Sequence, residues 1–168
     1  MVMAEKIQFF PLDATYRIVE GKAIINLYAR TIDGKQICIL DKSFEPYFYA
    51  MPKDNANISE KLEKIRVEGE REAAFVTKTE ILMKKYFGKA TQAVKVYTNL
   101  PSSIPIVRDV VKDWEIVQTT CEFDIPFARR YLIDRNITPL ILCEASGEFT
   151  SQKSRVPVFM EEKIEQAG

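Results

Sequence analysis

The residues best suited to chemistry are concentrated in one run, Cys121-Glu-Phe-Asp-Ile-Pro-Phe-Ala-Arg-Arg-Tyr-Leu-Ile-Asp134. An acidic and aromatic loop ends at a proline, after which the pattern predicts a short helix that carries Arg129, Arg130 and Tyr131 on its first turns. An aromatic ring at Phe127 beside a fixed cation at Arg130 could grip a phosphate or a base, or could hold two elements together. The run by itself leaves both interpretations open.

The groups that most enzymes use for catalysis are sparse in this chain. It has no histidine, the commonest general base and metal ligand. No glycine-rich nucleotide loop is present. The Asp113-Trp114-Glu115 triplet could hold metal ions in an exonuclease only with further carboxylates around it. Glu122 and Asp124 are more typical of turn and cap residues than of an acid and a base. We therefore expect no catalytic or metal-ligating residue in this chain.

Charge is balanced overall but unevenly distributed. The 168 residues include 24 basic and 24 acidic side chains, so no global basic field indicates nucleic acid. The stretch from Lys78 to Lys95, however, holds five lysines and a single acid, Glu80. Arg129, Arg130 and Arg135 form a second basic cluster. Such clusters either contact phosphates or form solvated faces.

The spacing of the cysteines and the hydropathy of the chain indicate the compartment in which the protein is expected. Its three cysteines lack metal-binding spacing and fit reduced thiols in a cytoplasmic protein better than a disulfide framework. No stretch approaches the ~20 apolar residues of a membrane span, and no signal-peptide pattern opens the chain. We expect a soluble cytoplasmic protein with no membrane partner.

The order of the predicted elements indicates an α+β fold. Glu20-Gly21 and Asp33-Gly34 mark turns between extended runs at 7–19, 22–30 and 36–40. Residues 46–119 predict β-α-β-β-α-β with helices near 58–69 and 103–112, which is the ferredoxin-like or RRM-like split βαβ core. The predicted strands of this core include 73–83, 91–99 and 115–119.

Further elements are expected after the core. A helix at 127–134 should stop at Asn136, followed by strands near 139–144 and 155–160 that join around Ser146-Gly147. The predicted fold is thus the split βαβ core with an N-terminal β-hairpin layer and a C-terminal strand extension. Residues 1–135 form the expected first domain and 136–168 are connecting strands, of which the charged 161–168 look like the beginning of something cut away.

The RRM-like order raises RNA recognition as an alternative. The RRM signature places a basic-Gly-aromatic-Gly pattern on a central strand. Strand 91–99 reads Thr-Gln-Ala-Val-Lys-Val-Tyr-Thr-Asn and lacks that pattern. Stacking of RNA on the sheet face is therefore not supported by the sequence.

Several short motifs together resemble the amino-terminal domain of archaeal family B DNA polymerases. The motifs are Leu12-Asp-Ala-Thr-Tyr16, Glu20-Gly-Lys22, Glu45-Pro-Tyr-Phe-Tyr-Ala50, Tyr86-Phe-Gly-Lys89, Val96-Tyr97, Ile104-Pro105 and Phe123–Asp134. Their order and spacing agree over about residues 9–142, and the first exonuclease motif of the family, an Asp-Ile-Glu-like strand, does not occur. The resemblance implies a non-catalytic domain of a DNA-directed DNA polymerase, with the remaining polymerase domains as partners and Mg²⁺ required only by the full polymerase.

The resemblance also implies contact with single-stranded template DNA and capture of deaminated bases, uracil and hypoxanthine. The base-pocket residues carried over are Tyr16, Pro46, Tyr47, Ala90, Ala93, Ile125, Pro126, Phe127 and Arg130. Aromatic and proline walls suit the capture of a flipped base, because excluding the methyl group of thymine requires a rigid surface. The family usually has proline and valine where this chain has Ala90 and Ala93, which enlarges the expected floor. The alternative is a structural scaffold that packs against the exonuclease and polymerase domains without a base-specific pocket.

Overall fold

The computed structural model describes residues 5–149 and 158–166. It contains ten strands and three α-helices in these ranges: β1 (Glu5–Val19), β2 (Lys22–Thr31), β3 (Gln36–Asp41), β4 (Tyr47–Pro52), α1 (Ser59–Glu63), β5 (Arg66–Val67), β6 (Ala74–Tyr86), β7 (Lys89–Thr98), α2 (Ser103–Val111), β8 (Val117–Cys121), α3 (Phe127–Asp134), β9 (Cys143–Phe149) and β10 (Val158–Gln166). The chain forms two compact units. The first unit comprises the described residues of Met1–Phe44 and Pro126–Gly168, and the second unit comprises Glu45–Ile125.

The first unit is built on a closed barrel with the strand order β1-β2-β3-β10-β9. The β10–β3 pair is parallel and the other four pairs are antiparallel. The predicted turn at Glu20-Gly21 is confirmed, since both residues have left-handed backbones with φ of 51° and 75°. This is the two-residue hairpin geometry that matches strand twist. Because the barrel is closed, every strand has a hydrogen-bonded neighbour on both sides. An open hairpin layer would leave the backbone N–H and C=O groups of its edge strands unpaired.

Alternation along the strands explains how the barrel is filled. Ile25, Leu27 and Ala29 on β2 pair with Asp41, Ile39 and Ile37 on β3. All six residues are at most 2% exposed, so they share one buried face. Phe9, Ala145 and Phe159, contributed by β1, β9 and β10, have no exposed surface.

The C-terminal strands differ from those predicted. Instead of a strand near 139–144, the chain makes a turn in which Ile141 N–H donates to Thr138 O at 3.1 Å, and β9 begins at Cys143. Ser146 and Gly147 lie inside β9 and do not form a turn. The connection to β10, including residues 155–157 of the predicted strand, lies outside the described residues. Residues 161–166, most of which are charged, belong to β10. Buried Ile164 is their one apolar residue, so the sequence there lacks the apolar–polar alternation that would have indicated a strand.

The second unit contains a five-stranded sheet in the order β5-β6-β7-β4-β8. The β6-β7-β4-β8 order and its antiparallel pairs are those of the split βαβ arrangement, so the predicted α+β class is confirmed. One face of the sheet packs against the helices in a hydrophobic core. Phe48, Val94, Val96, Leu62 and Val107 have no exposed surface in this core.

The helices of the second unit were predicted with unequal success. α2 at Ser103–Val111 agrees with the expected 103–112, whereas α1 covers only Ser59–Glu63 of the expected 58–69. The shortening arises because Arg66 and Val67 leave the helix and pair with Phe75 and Ala74 of β6. β8 also starts two residues later than expected, at Val117. Within the described ranges, no helix is long and apolar enough to cross a membrane.

The packing of α2 gives a matched stability test. Ile104 is 8% exposed in the core of the second unit, whereas Ile106 on the same helix is 43% exposed. We expect Ile104→Ala to lower the free energy of unfolding by about 2–5 kcal/mol, because it leaves a cavity. Ile106→Ala should cost less than about 1 kcal/mol. Urea unfolding at neutral pH measures both, and equal losses would show that α2 does not pack through the face described.

Candidate functional site

Helix α3 places three residues of the chemistry-rich run on one face. Phe127, Arg130 and Tyr131 lie at i, i+3 and i+4, the spacing that brings helical side chains together. They are 6%, 6% and 0% exposed, respectively. Arg129 on the same helix is exposed. Phe127 and Arg130 thus share one buried helix face, and whether they grip a phosphate or a base or only hold elements together stays a prediction.

An aromatic cluster of Tyr16, Phe44, Phe127 and Tyr131 surrounds this helix face in the first unit. The edge of one ring meets the face of the other between Tyr16 and Phe127, with centroids 5.2 Å apart and planes at 84°. Phe44 contacts Phe127 at 5.3 Å and Tyr131 at 5.2 Å. Tyr16 is 42% exposed, while Phe44 is 7% exposed. The cluster thus presents one accessible ring that is braced by buried ones.

Backbone hydrogen bonds define where α3 begins and ends. Arg130 N–H donates to Pro126 O at 2.9 Å in the first turn. At the other end Ile137 N–H donates to Leu132 O at 2.8 Å, and Asn136 N–H donates to Ile133 O at 3.1 Å. Asn136 has a left-handed backbone with φ of 55°, as the Schellman ending of a helix requires. The predicted stop at Asn136 is confirmed.

A buried carboxylate links the end of β3 to the end of α3. Asp41 is 1% exposed and accepts hydrogen bonds from the backbone N–H and the hydroxyl of Ser43 at 2.8 and 2.6 Å. Burial raises the pKa of Asp41, but these hydrogen bonds, with contributions from Glu161 and Arg135, hold that pKa below its usual value. Burial, and then the charge of Asp41, raise the pKa of Tyr131.

Arg135 lies beside this buried carboxylate. Arg135 lies with its Nε 3.6 Å from Asp41, and its guanidinium donates to Ser43 Oγ at 3.1 Å. Its charge is therefore directed at a buried carboxylate, and its part in phosphate binding stays a prediction. Of the three arginines in the predicted phosphate-binding cluster, Arg129 is the exposed one.

The second unit contributes a different surface, the face of its sheet opposite α1 and α2. We call it the tyrosine face, because strand alternation places Tyr47, Tyr49 and Tyr97 on it. Lys95 Nζ lies 4.1 Å from the centroid of Tyr47 and 5.0 Å from that of Tyr97. Tyr47 is 4% exposed, and Pro46 before it is also buried. The Tyr47 ring is held in place by cation–π contact and ring packing.

Two further lysines of the basic run are neutralised on this unit. Lys78 pairs with Glu45 at 2.7 Å and lies 4.5 Å from the Tyr97 ring. The hydrogen bond with Glu45 raises the pKa of Lys78. Lys84 pairs with Glu122 and lies 3.9 Å from the Tyr49 ring. The run from Lys78 to Lys95 is thus not a uniform basic surface.

The two alanines expected in the pocket floor do not share a face. Ala90 and Ala93 are three residues apart on β7, whose pairing with β6 is regular there, so their side chains point to opposite sides. Ala93 is on the tyrosine face with no exposed surface, while Ala90 is exposed. Ile125 is half-buried at the end of the second unit, and Pro126 is exposed.

The predicted site residues therefore fall into two groups. The first unit contains Tyr16, Pro126, Phe127 and Arg130, and the second unit contains Pro46, Tyr47, Ala90, Ala93 and Ile125. A single base pocket that uses all of them remains a prediction. Sequence reasoning did not select Phe44 or Tyr131, although Tyr131 lies four residues after Phe127 and the helical period could have indicated it.

The Asp113-Trp114-Glu115 triplet lies at the surface of the second unit. Asp113 and Glu115 are exposed, and Lys61 Nζ lies 4.1 Å from the centroid of the Trp114 ring between them. Among the described residues, no group of three or more Cys, Asp and Glu side chains is placed to hold a metal ion.

Comparison with known proteins gives consistent matches, although no family model matches the chain. The DNA polymerase of Desulfurococcus sp. (strain Tok) is 37% identical over 129 residues, which cover 77% of this chain and 16% of the relative. DNA polymerase 1 of Pyrococcus abyssi is 35% identical over 139 residues, or 83% of this chain and 17% of the relative. This chain thus spans only a small part of the length of the curated relatives it matches.

A solved structure gives the same result. The family B DNA polymerase from the hyperthermophilic archaeon Pyrobaculum calidifontis matches with a TM-score of 0.83 and 25% identity, covering 96% of this chain and 20% of that one. The architecture is therefore that of a polymerase amino-terminal domain. More particularly, the chain is homologous to the amino-terminal region of archaeal family B DNA polymerases, as its motifs indicated.

The buried carboxylate generates a prediction for stability against pH. Because the folded pKa of Asp41 is depressed, its stabilisation is present above the unfolded value of about 3.9 and is lost as pH falls through the lower folded pKa. Ser43→Ala removes one hydrogen bond to this charge and should lower the free energy of unfolding by about 1.5–3 kcal/mol above pH ~5. The loss should shrink below pH ~4.

The matched control is Ser102→Ala, since Ser102 is exposed and its side chain makes no capping hydrogen bond. It should change stability by less than about 0.5 kcal/mol at every pH. Urea titrations between pH 3 and pH 8 follow both variants. A Ser43→Ala loss that grows as the pH falls would contradict the assigned charge of Asp41.

Proposed function

We propose that this chain is the non-catalytic amino-terminal domain of a DNA-directed DNA polymerase, where it contacts single-stranded template DNA and senses deaminated bases. Homology to archaeal polymerases supports the polymerase context. The observation that carries the base-sensing proposal is the accessible ring of Tyr16, which is braced by buried Phe127. Buried Arg130 lies on the same helix face as Phe127. The remaining polymerase domains are the proposed partners, and Mg²⁺ is proposed for the full polymerase only.

Rigidity is the property that base sensing requires of the aromatic cluster. Uracil and thymine differ by one methyl group, so a protein that captures uracil must present a wall that does not yield to that methyl. Phe127 is packed against Tyr16 on one side and Phe44 on another. Movement of its ring would disturb a close-packed cluster, which protein interiors resist.

The second unit supplies its own candidate contacts for a base. Pro46 and Tyr47 are buried at the start of β4, and Lys95 fixes the Tyr47 ring from the tyrosine face. Ala93 lies on the same face two residues from Lys95. Ala93 has no exposed surface, so a larger side chain here would press on its neighbours, and we propose that its size sets how firmly the tyrosine face encloses a base.

A scaffold without a base pocket is the second candidate function. It is favoured by the small side chain at Ala93 and by the ion pairs that neutralise Lys78 and Lys84. In that role the domain would pack against the exonuclease and polymerase domains and contact DNA only weakly. The two functions differ in whether this chain distinguishes uracil from thymine.

Base preference is tested by titrating the chain with single strands that differ only by one uracil in place of thymine. We expect tighter binding to the uracil strand, and Phe127→Ala should reduce that preference because it removes the brace behind Tyr16. Loss of one base–aromatic contact is worth about 1–3 kcal/mol. Tyr16→Leu, at a half-exposed position, tests the same contact with little risk to folding. Equal affinity of the native chain for both strands would favour the scaffold.

The opposite faces of β7 allow a second, matched test. Ala93→Val should sharpen the preference for uracil, because methyl groups added at this fully buried position pack against the tyrosine face and make it less able to yield. Ala90→Val makes the same chemical change at an exposed position on the other side, so it should leave the preference unchanged. Ala93→Gly should blur it. If Ala90→Val alters the preference as much as Ala93→Val, the assignment of Ala93 is wrong; fluorescence anisotropy with the two strands measures all four proteins.

A further inference from the structure

The tip of the β6–β7 hairpin contains an aromatic residue in an unfavourable backbone conformation. Tyr86 pairs with Lys89, so the loop is only Phe87-Gly88. Their φ values of 50° and 78° are those of a two-residue turn that favours Asn or Asp before Gly. A bulky residue with positive φ strains the backbone. Phenylalanine is therefore not the residue that the turn itself favours.

The Phe87 side chain is also almost fully in solvent. It is 89% exposed, the largest exposed fraction among the large hydrophobic residues described. Its ring contacts that of Tyr86, with centroids 4.5 Å apart and planes at 65°. The hairpin tip, defined as Tyr86, Phe87, Gly88 and Lys89, thus presents two neighbouring rings at the end of a long β-ribbon.

The charge around these rings is of one sign. No acidic residue occurs between Ile81 and Lys95 in the sequence. Lys85 and Lys89 are exposed, and neither belongs to an ion pair in the part of the chain that the structure describes. Lys89 lies directly across from Tyr86, while Lys85 lies across from Ala90 on the other side of the ribbon. Each face of the β-ribbon therefore carries one lysine close to the rings, Lys89 on the face of Tyr86 and Lys85 on the opposite face.

A ligand that satisfies these groups needs flat apolar faces and a regular series of negative charges. Single-stranded DNA has both, since unpaired bases stack on aromatic rings and each phosphate attracts a lysine. Paired bases in a duplex are stacked on one another and present no free face to Phe87. An acidic peptide matches the charge but gives the ring no flat partner.

We infer that the hairpin tip is a contact for single-stranded DNA in which Phe87 stacks on a base and Lys85 and Lys89 bind the adjoining phosphates. This inference rests on the proposed function, because it assigns the hairpin tip to the same template strand. It differs in mechanism: stacking at the tip tolerates any base, whereas the aromatic cluster is proposed to select one.

Two oligonucleotides separate stacking from charge in the whole chain. One is a short thymidine oligomer and the other is an abasic oligomer of the same length, which keeps the phosphates but has no bases. Phe87→Leu, which keeps apolar volume but removes the ring, should weaken thymidine-oligomer binding about tenfold and leave abasic binding unchanged. The double change Lys85→Gln and Lys89→Gln should weaken both and flatten the salt dependence. Met83→Leu, at a 62% exposed position on the same hairpin, is the control and should change neither.

Two further variants report on the tip itself. Phe87→Asn places a favoured residue in the turn, so it should raise the melting temperature while losing thymidine-oligomer affinity. Phe87→Trp should show fluorescence quenching by the thymidine oligomer and not by the abasic one, after subtraction of the signal of Trp114, the single tryptophan in the native chain.

The outcomes separate this inference from the proposed function. If the native chain prefers uracil strands but Phe87→Leu binds like the native chain and Phe87→Trp is not quenched, the hairpin-tip inference is overturned and the proposed function stands. If the tip variants behave as expected but uracil and thymine strands bind equally, base sensing fails and the tip contact stands. If a poly-glutamate peptide binds the native chain more tightly than the thymidine oligomer and loses affinity in Phe87→Leu, the tip binds acidic protein instead.

Discussion

The packing of Phe127 between Tyr16 and Phe44 is the contact on which the organisation of the first unit depends. It holds α3 against β1 and the end of β3. Arg130 and Tyr131 share the helix face of Phe127 and are buried with it. Phe127 fixed in this way braces the Tyr16 ring, which stays accessible to solvent, and this is the surface that we propose for recognising the shape of a base.

Some charged side chains, like the buried aromatic rings, are held in place by contacts within the fold. Asp41, buried beside Ser43 and Arg135, needs its hydrogen bonds to remain ionised and thereby ties the end of β3 to the end of α3. In the second unit, Lys95 lies over the Tyr47 ring. Charges that the sequence offers as phosphate contacts are thus partly used to hold the fold together. A zero net charge is consistent with this use.

Local signals predicted the elements that local forces determine. The left-handed glycine at Gly21 identified the first hairpin, and the spacing of Ile104, Val107 and Val111 identified α2. Long-range pairing could not be foreseen in the same way. α1 ends early because Arg66-Val67 finds a partner in β6, and the closed barrel requires strands from both ends of the chain. For the site, the run around Phe127 was informative, but Phe44 and the pleat that separates Ala90 from Ala93 became visible only in three dimensions.

If this domain reads a base through fixed aromatic groups, as we propose, a residue-resolved comparison of two bound strands will detect it. At 19.3 kDa the chain is suited to two-dimensional NMR. Spectra recorded with saturating uracil and thymine strands share all phosphate contacts, so their difference isolates recognition of the base. We expect the differences to concentrate at Tyr16, Phe127 and Arg130 in the first unit and at Tyr47 and Ala93 in the second. Identical spectra with the two strands, with shifts from the free protein confined to exposed lysines, would contradict the proposal.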